Sequence, residues 1–142
     1  MSAVEGLSAN YLQRFDFIDF ALLFGSYAEN RAHNLSDVDI GIFTNKDISL
    51  LEIGFLTANL ESILKIKVDL MILNNLYKKN PVIAYEIVSS NKILFCINEN
   101  KFIDFKKNAL LYFMDTKKMR DMINKTFKDR LNKGKFGEHN FV

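Results

Sequence analysis

Asp37 and Asp39 stand two residues apart in Ser36-Asp37-Val38-Asp39-Ile40, and Asp69 interrupts an otherwise apolar run from Val68 to Leu73. Side chains two apart on a strand share a face, so as strand residues Asp37 and Asp39 project together. Two carboxylates that close repel, and an unpaired buried carboxylate is costly. A divalent cation resolves that conflict. Mg²⁺ takes oxygen ligands and is commonly held by one or two carboxylates plus phosphate oxygens. Asp69 on a neighbouring strand offers a third ligand or a general base. A third carboxylate also allows a two-metal arrangement that clamps the attacking and leaving oxygens.

Gly25-Ser26 precedes the carboxylates and supplies the complementary half. Glycine lets a backbone come close to phosphate. A helix beginning over residues 26–30 would turn free N–H groups and a positive dipole end toward an anion, and the Ser26 hydroxyl adds a donor. Phosphate on one side and metal-binding carboxylates on the other specify a nucleoside-triphosphate site. No Gly-Lys-Ser/Thr signature is present, so the scheme is not that of a P-loop enzyme.

The elements that must position these groups follow from hydrophobic patterning. Residues 3–15 are predicted to form a helix with Val4, Leu7, Tyr11 and Leu12 on one face. Phe17 to Phe24, broken only by Asp19, reads as a buried strand ending at the sharp turn Gly25-Ser26. Val38 to Phe43 alternates and forms a second strand. Ser49 with Glu52 three residues on is a capping box; the helix it starts, about 49–64, aligns Leu50, Ile53, Leu56, Leu60 and Leu64. Ile66 to Leu73 is a third strand. Asn80-Pro81 opens a helix carrying Ile83, Ala84, Ile87 and Val88 to about Ser90. Lys92 to Cys96 is a fourth strand, and Asn98 caps a final helix over about 99–131. Its stripe runs through Phe102, Phe105, Ala109, Tyr112 or Phe113, Met119, Met122 or Ile123, and Phe127. The expected fold class is α/β (α+β), a mixed or parallel sheet of about four or five strands flanked by helices. One domain over residues 1–132 with a flexible tail over 133–142 is expected.

Composition bounds the rest. With 142 residues, 49% hydrophobic and 25% charged, the chain suits one ordered domain and excludes a large multidomain enzyme. Cys96 is the only cysteine, so a disulfide-stapled secreted domain is excluded; in its apolar run it reads as a small buried hydrophobe, not a catalytic thiol. Residues 1–14 do not resemble a signal peptide, and no apolar run approaches membrane-spanning length, so a soluble cytoplasmic protein is expected. The net charge of +2 conceals an asymmetry. Residues 101–142 hold eleven Lys/Arg against five Asp/Glu, and the first hundred hold eight against twelve. Lys117, Lys118, Arg120, Lys125, Lys128 and Arg130 are most simply a solvated helix face, with docking of an acidic partner or RNA as the alternative. Arg31 reads either as a phosphate contact or as a solvated loop arginine. His33 and His139 read as surface residues, and Tyr27 reads either as a flank of the nucleotide or as packing at the turn.

The stretch from Gly25-Ser26-Tyr27-Ala28 through Ser36-Asp37-Val38-Asp39-Ile40 resembles the signature of the DNA polymerase β-like nucleotidyltransferase superfamily. It looks most like the minimal nucleotidyltransferases, small single-domain prokaryotic proteins. Val68-Asp69-Leu70-Met71-Ile72-Leu73-Asn74 resembles their third-carboxylate strand, and the similarity extends over about residues 1–130. Where the family pattern usually carries glycine this chain has Asn30, a residue that tolerates left-handed backbone.

The resemblance implies an antitoxin that moves AMP from ATP onto a tyrosine of a HEPN-type ribonuclease toxin, releasing pyrophosphate. By position, Asp37 and Asp39 would bind Mg²⁺, Asp69 would complete the metal site or deprotonate the acceptor, and Gly25 and Ser26 would hold the triphosphate. An alternative is an interaction module of the same fold that neutralises its partner by binding, with weak or no catalysis. A small-molecule nucleotidyltransferase of the antibiotic-modifying kind is a third reading, disfavoured because no substrate domain is expected after residue 131.

Overall fold

The structure, a computed structural model, describes residues 2–28 and 37–132. Asn30, Arg31, His33, Ser36, His139 and the segment 133–142 lie outside the described residues, as do the side chains of Lys118, Met119, Arg120, Met122, Ile123, Phe127 and Arg130.

Helix α1 (Ala3–Leu12) starts where the Ser2 hydroxyl accepts the Glu5 N–H at 3.2 Å, an N-cap that satisfies an otherwise free donor. It stops at Leu12, short of the expected residue 15. Its inner face holds Ser8, Ala9, Tyr11 and Leu12, whereas Leu7, expected inside, is 44% exposed. Strand β1 (Ile18–Phe24) is buried on both faces, which explains its nearly unbroken apolar run. It ends in a 3-10 turn (Gly25–Tyr27), and the chain resumes in strand β2 (Val38–Thr44).

The predicted capping box forms. Ser49 accepts the Glu52 N–H at 3.2 Å, Glu52 Oε1 accepts the Ser49 N–H at 3.1 Å, and helix α2 (Leu50–Leu64) follows. Leu56, Leu60 and Leu64 bury, and Ile53 is half-buried. Leu50, expected on the same stripe, is 85% exposed, because the first turn of α2 extends past the surface that covers the later ones. Strand β3 (Val68–Ile72) leads into a short helix α3 (Leu76–Lys79) that hydrophobic periodicity does not reveal. Asn80 caps helix α4 (Pro81–Ser89), accepting the Ile83 N–H at 3.2 Å. Strand β4 (Asn91–Cys96) and helix α5 (Glu99–Asn132) complete the chain; Asn98 Oδ1 accepts the Lys101 N–H at 3.3 Å at the start of α5.

Among the described residues the sheet has four strands, ordered β3-β2-β1-β4. β1 is antiparallel to β2 and β4, while β2 and β3 run parallel, so the sheet is mixed. One face packs Ile18, Ala21, Leu23, Ile40 and Ile42 against α1 and α2 through Leu12, Leu56 and Leu60. The other packs Phe20 and Leu22 against Leu73, which follows β3, and against Ile87, Phe105 and Ala109 of the later helices. Phe113 stacks on Tyr85 with ring centroids 3.9 Å apart, so it is the half-buried member of the Tyr112/Phe113 pair; Tyr112 is 39% exposed. Cys96 is half-buried at the edge of the second core, and burial followed by the nearby Glu99 charge pushes its thiol pKa up, against any role as a ready thiolate.

Candidate active site

Three strand ends meet at one pole of the sheet: the end of β1 and the starts of β2 and β3. Because β2 and β3 are parallel, Asp39 and Asp69 are register partners on adjacent strands. Neighbouring strands lie about 4.8 Å apart, and side chains in register share a face. Phe24, the last residue of β1, pairs with Asp39 from the other side, so the Gly25 turn begins directly beside that carboxylate. The sheet thus brings Gly25, Asp39 and Asp69 together from three separate segments. Asp37 precedes β2 and is exposed, so it reaches the cluster from the strand's entry rather than from within it, as the sequence pattern had implied.

Gly25 has φ +72°, a left-handed conformation that glycine adopts without steric penalty. A Cβ there would drive into Asp39 Oδ2 and lie 3.2 Å from Asp39 Cγ. The glycine therefore serves the carboxylate as well as the turn. Gly25–Tyr27 form a single 3-10 turn, closed by the Ala28 N–H donating to Gly25 O at 3.1 Å. Of the short helix expected to begin over residues 26–30, the described residues contain this turn, whose short length by itself gives little macrodipole; residues 29 and 30 lie outside the described residues. Ser26 lies half-buried within it, and Tyr27 packs against the core beside the first strand.

The Asp39 carboxyl pKa is raised above the usual carboxylate range, first by burial, then by the neighbouring charges of Asp69 and Asp37. Among the described residues none of the three aspartates makes an ion pair. They form a concentration of oxygen donors with no compensating cation paired to them among the described residues. Among the same residues no three His, Cys, Asp or Glu side chains converge into a ready-made metal cage. This donor set fits Mg²⁺ in the manner that ion favours, with few protein carboxylates and the remaining positions left to phosphate and water.

Residues 8–100 match the family model described as polymerase beta, nucleotidyltransferase. The chain belongs to this nucleotidyltransferase family. Both stretches that carried the resemblance, from Gly25 to Ile40 and from Val68 to Asn74, fall inside the matched region. A candidate protein adenylyltransferase of Methanocaldococcus jannaschii is 42% identical over 65 residues, which cover 46% of this nucleotidyltransferase chain and 64% of that protein. The alignment thus spans a little under two thirds of the relative. Among solved structures, a toxin–antitoxin complex with AMP-PNP matches with a TM-score of 0.65 at 19% identity, covering 92% of this chain and 99% of that one. A chain of the Shewanella oneidensis complex of tri-AMPylated HEPN toxin with MNT antitoxin gives 0.65 at 19% identity, with coverage of 87% and 98%. A chain of the MntA–HepT toxin–antitoxin complex gives 0.64 at 19%, with 86% and 97%. These likenesses establish that the nucleotidyltransferase fold extends over most of the chain.

Missing from the sequence reading was the α2 surface. Leu50, Leu51 and Phe55 are 85%, 83% and 65% exposed. The signal available was Leu51 in the first turn after the Ser49 cap: at about 100° per residue, Leu51 and Phe55 fall off the stripe that Leu56, Leu60 and Leu64 form. Among the described residues no helix is long and apolar enough to cross a membrane.

Proposed function

We propose that this nucleotidyltransferase transfers AMP from ATP to a hydroxyl of a partner protein, a tyrosine of a HEPN-type ribonuclease toxin, and so acts as an antitoxin in the cytoplasm. The observation that carries the reading is the register pairing of Asp39 with Asp69 beside the Gly25 turn, a carboxylate pair next to a backbone able to approach phosphate. The named relatives support the choice of acceptor: one is described as a candidate protein adenylyltransferase, and another complex pairs an MNT antitoxin with an AMPylated HEPN toxin.

In this scheme Asp37, Asp39 and Asp69 hold Mg²⁺, and Gly25 and Ser26 cradle the triphosphate. Mg²⁺ bound there supplies charge neutralisation for the triphosphate and the departing pyrophosphate. The acceptor oxygen forms a bond to the α-phosphorus, the bond from that phosphorus to the α–β bridging oxygen breaks, and pyrophosphate leaves with the electron pair. The phenolic proton, with an ordinary pKa of about 10, passes to a base; Asp69 stands in reach of that duty when it is not occupied as a ligand. The remaining contribution of the chain is positioning, since in-line transfer gains most from holding the reactants aligned. Residues 1–132 form the working unit in this reading.

The test is to mix the protein with ATP, Mg²⁺ and the HEPN-type protein encoded next to it, then weigh the partner. A gain of one or more AMP masses, lost with Asp39→Asn, is the expected result. A partner that is inhibited yet unmodified would favour the second reading, neutralisation by binding alone. The exposed apolar residues of α2 give that reading its specific observation.

A further inference from the structure

The pole of the sheet opposite the carboxylates, where β1 begins and β2 ends, carries two features that nucleotidyl transfer does not use. The first is apolar. Leu51 and Phe55, one helical turn apart on α2, are 83% and 65% exposed, and with Phe15, Phe17 and Leu56 they wall a groove of about 250 Å³ with Glu52 at its lip. Leu56, Leu60 and Leu64 already give α2 its buried stripe, so Leu51 and Phe55 are a second stripe turned to solvent. An apolar patch of this kind with a polar rim is the signature of a protein-binding surface.

The second feature is a buried carboxylate. Asp19 lies at a register shift in β1 between Ile18 and Phe20, a bulge that redirects its side chain while both neighbours stay in the cores. It is 7% exposed, accepts one long hydrogen bond from Asn45 Nδ2 at 3.4 Å, and has no ion pair among the described residues. It borders a cleft of about 450 Å³ shared with Thr44, Asn45, Lys46 and Lys101. Lys46 joins cleft to groove, since its Nζ sits 5.0 Å from the centre of the Phe17 ring. Across groove and cleft, Asp16, Asp19, Asp47 and Glu52 stand against Arg14, Lys46 and Lys101, an excess of one acidic group, and Arg14 and Lys46 already lie over the Tyr11 and Phe17 rings.

We propose that this pole is a docking face for a protein partner that presents apolar side chains framed by arginine or lysine, one basic group reaching Asp19. The inference rests on the partner-modifying reading above and adds that the HEPN-type partner is held at the end remote from the chemistry. A second copy of this chain fits worse, because back-to-back pairing sets Asp16, Asp47 and Glu52 against their own images. The consequence is geometric. α2 runs on the order of 14–20 Å from the patch to its end before the strand carrying Asp69, so a docked partner leaves the carboxylates open to a further acceptor molecule.

The test measures the affinity of the full chain for the adjacent HEPN-type protein by calorimetry, with AMP transfer scored separately by partner mass. The Leu51→Glu/Phe55→Glu double variant should lose at least roughly a hundredfold in affinity, while its ATP–Mg²⁺-induced rise in Tm stays as in the parent. Asp19→Asn, which leaves the apolar groove intact, should lose roughly tenfold and flatten the salt dependence. Unchanged affinity in the double variant overturns the proposal. So does the absence of any complex with the parent chain, or a parent self-association by sedimentation that the double variant abolishes. If complex formation depends on the patch but no AMP mass appears, the docking face stands and the transfer reading falls.

Discussion

Gly25 and Asp39 occupy one steric unit: the glycine Cα lies so close beneath the Asp39 carboxylate that a Cβ would meet Oδ2. The left-handed backbone at φ +72° adds a second, independent penalty for any larger residue. Gly25→Ala is therefore expected to destabilise the fold by about 1–3 kcal/mol and to lower AMP transfer by at least roughly a hundredfold. Urea unfolding and partner mass report the two effects. Wild-type activity in this variant would remove the turn from the site.

Asp39 also sets a pH dependence whose sign is fixed by its raised pKa. In the window between the ordinary carboxylate value and the raised one, the folded state binds more protons than the unfolded state. Stability therefore falls as pH rises through that window and stays reduced above it. Asp39→Asn removes the penalty, so the metal-free variant should be more stable than the parent at pH 7, with the difference vanishing toward pH 3. Denaturant midpoints measured across that range check this, and AMP transfer should fall at least roughly a thousandfold in the same variant.

The three aspartates gain most from a cation at neutral pH, because a bound cation turns their mutual repulsion into attraction. Mg²⁺ with ATP should raise Tm by several degrees, on the order of that expected for ligand in large excess over its dissociation constant. EDTA should reverse the rise and stop transfer. In Asp39→Asn the rise should be lost. A parent Tm indifferent to both additions argues against the assigned ligands.

Phe105 ties α5 to the sheet. It is 1% exposed and meets Phe20 and Phe43 at centroid distances of 5.9 and 6.4 Å. Phe105→Ala is expected to cost about 3–5 kcal/mol. Ser49→Ala, which removes only the α2 cap, should cost about 1 kcal/mol. Chemical denaturation of the two variants should separate them clearly; equal losses would mean that α5 is a dispensable attachment.

Much of this arrangement was legible in the chain because its signals are local. The Ser49–Glu52 box, the Asn80-Pro81 start and the Asn98 cap each act within one helical turn, and all three form. What was not legible depends on partners distant in sequence. A stripe at helical spacing does not say how far the neighbouring surface extends, so Leu7 and Leu50 looked internal and lie outside. Helix α3 is too short for a period and is preceded by Asn75 with φ 60°. At the site, the carboxylates could be picked out from their spacing, but setting Asp39 beside Asp69 required the parallel pairing of β2 with β3, which spacing left open. The expected helix after Gly25-Ser26 was a 3-10 turn among the described residues.

The central position of β1 also dictates an order of assembly. Its partner on one side, β2, follows closely, but on the other side Phe20 waits for Cys96 and Phe24 for Asn91. Pairings between remote segments form late, since the intervening chain must first be closed into a loop. Everything that gathers Gly25, Asp39 and Asp69 lies between Ile18 and Ile72, so synthesis delivers the carboxylate cluster before the strand that closes the sheet. Until β4 arrives, β1 presents a bare hydrogen-bonding edge studded with phenylalanine, the kind of edge on which chains aggregate. The moment of greatest risk in the life of this protein is thus its own biosynthesis.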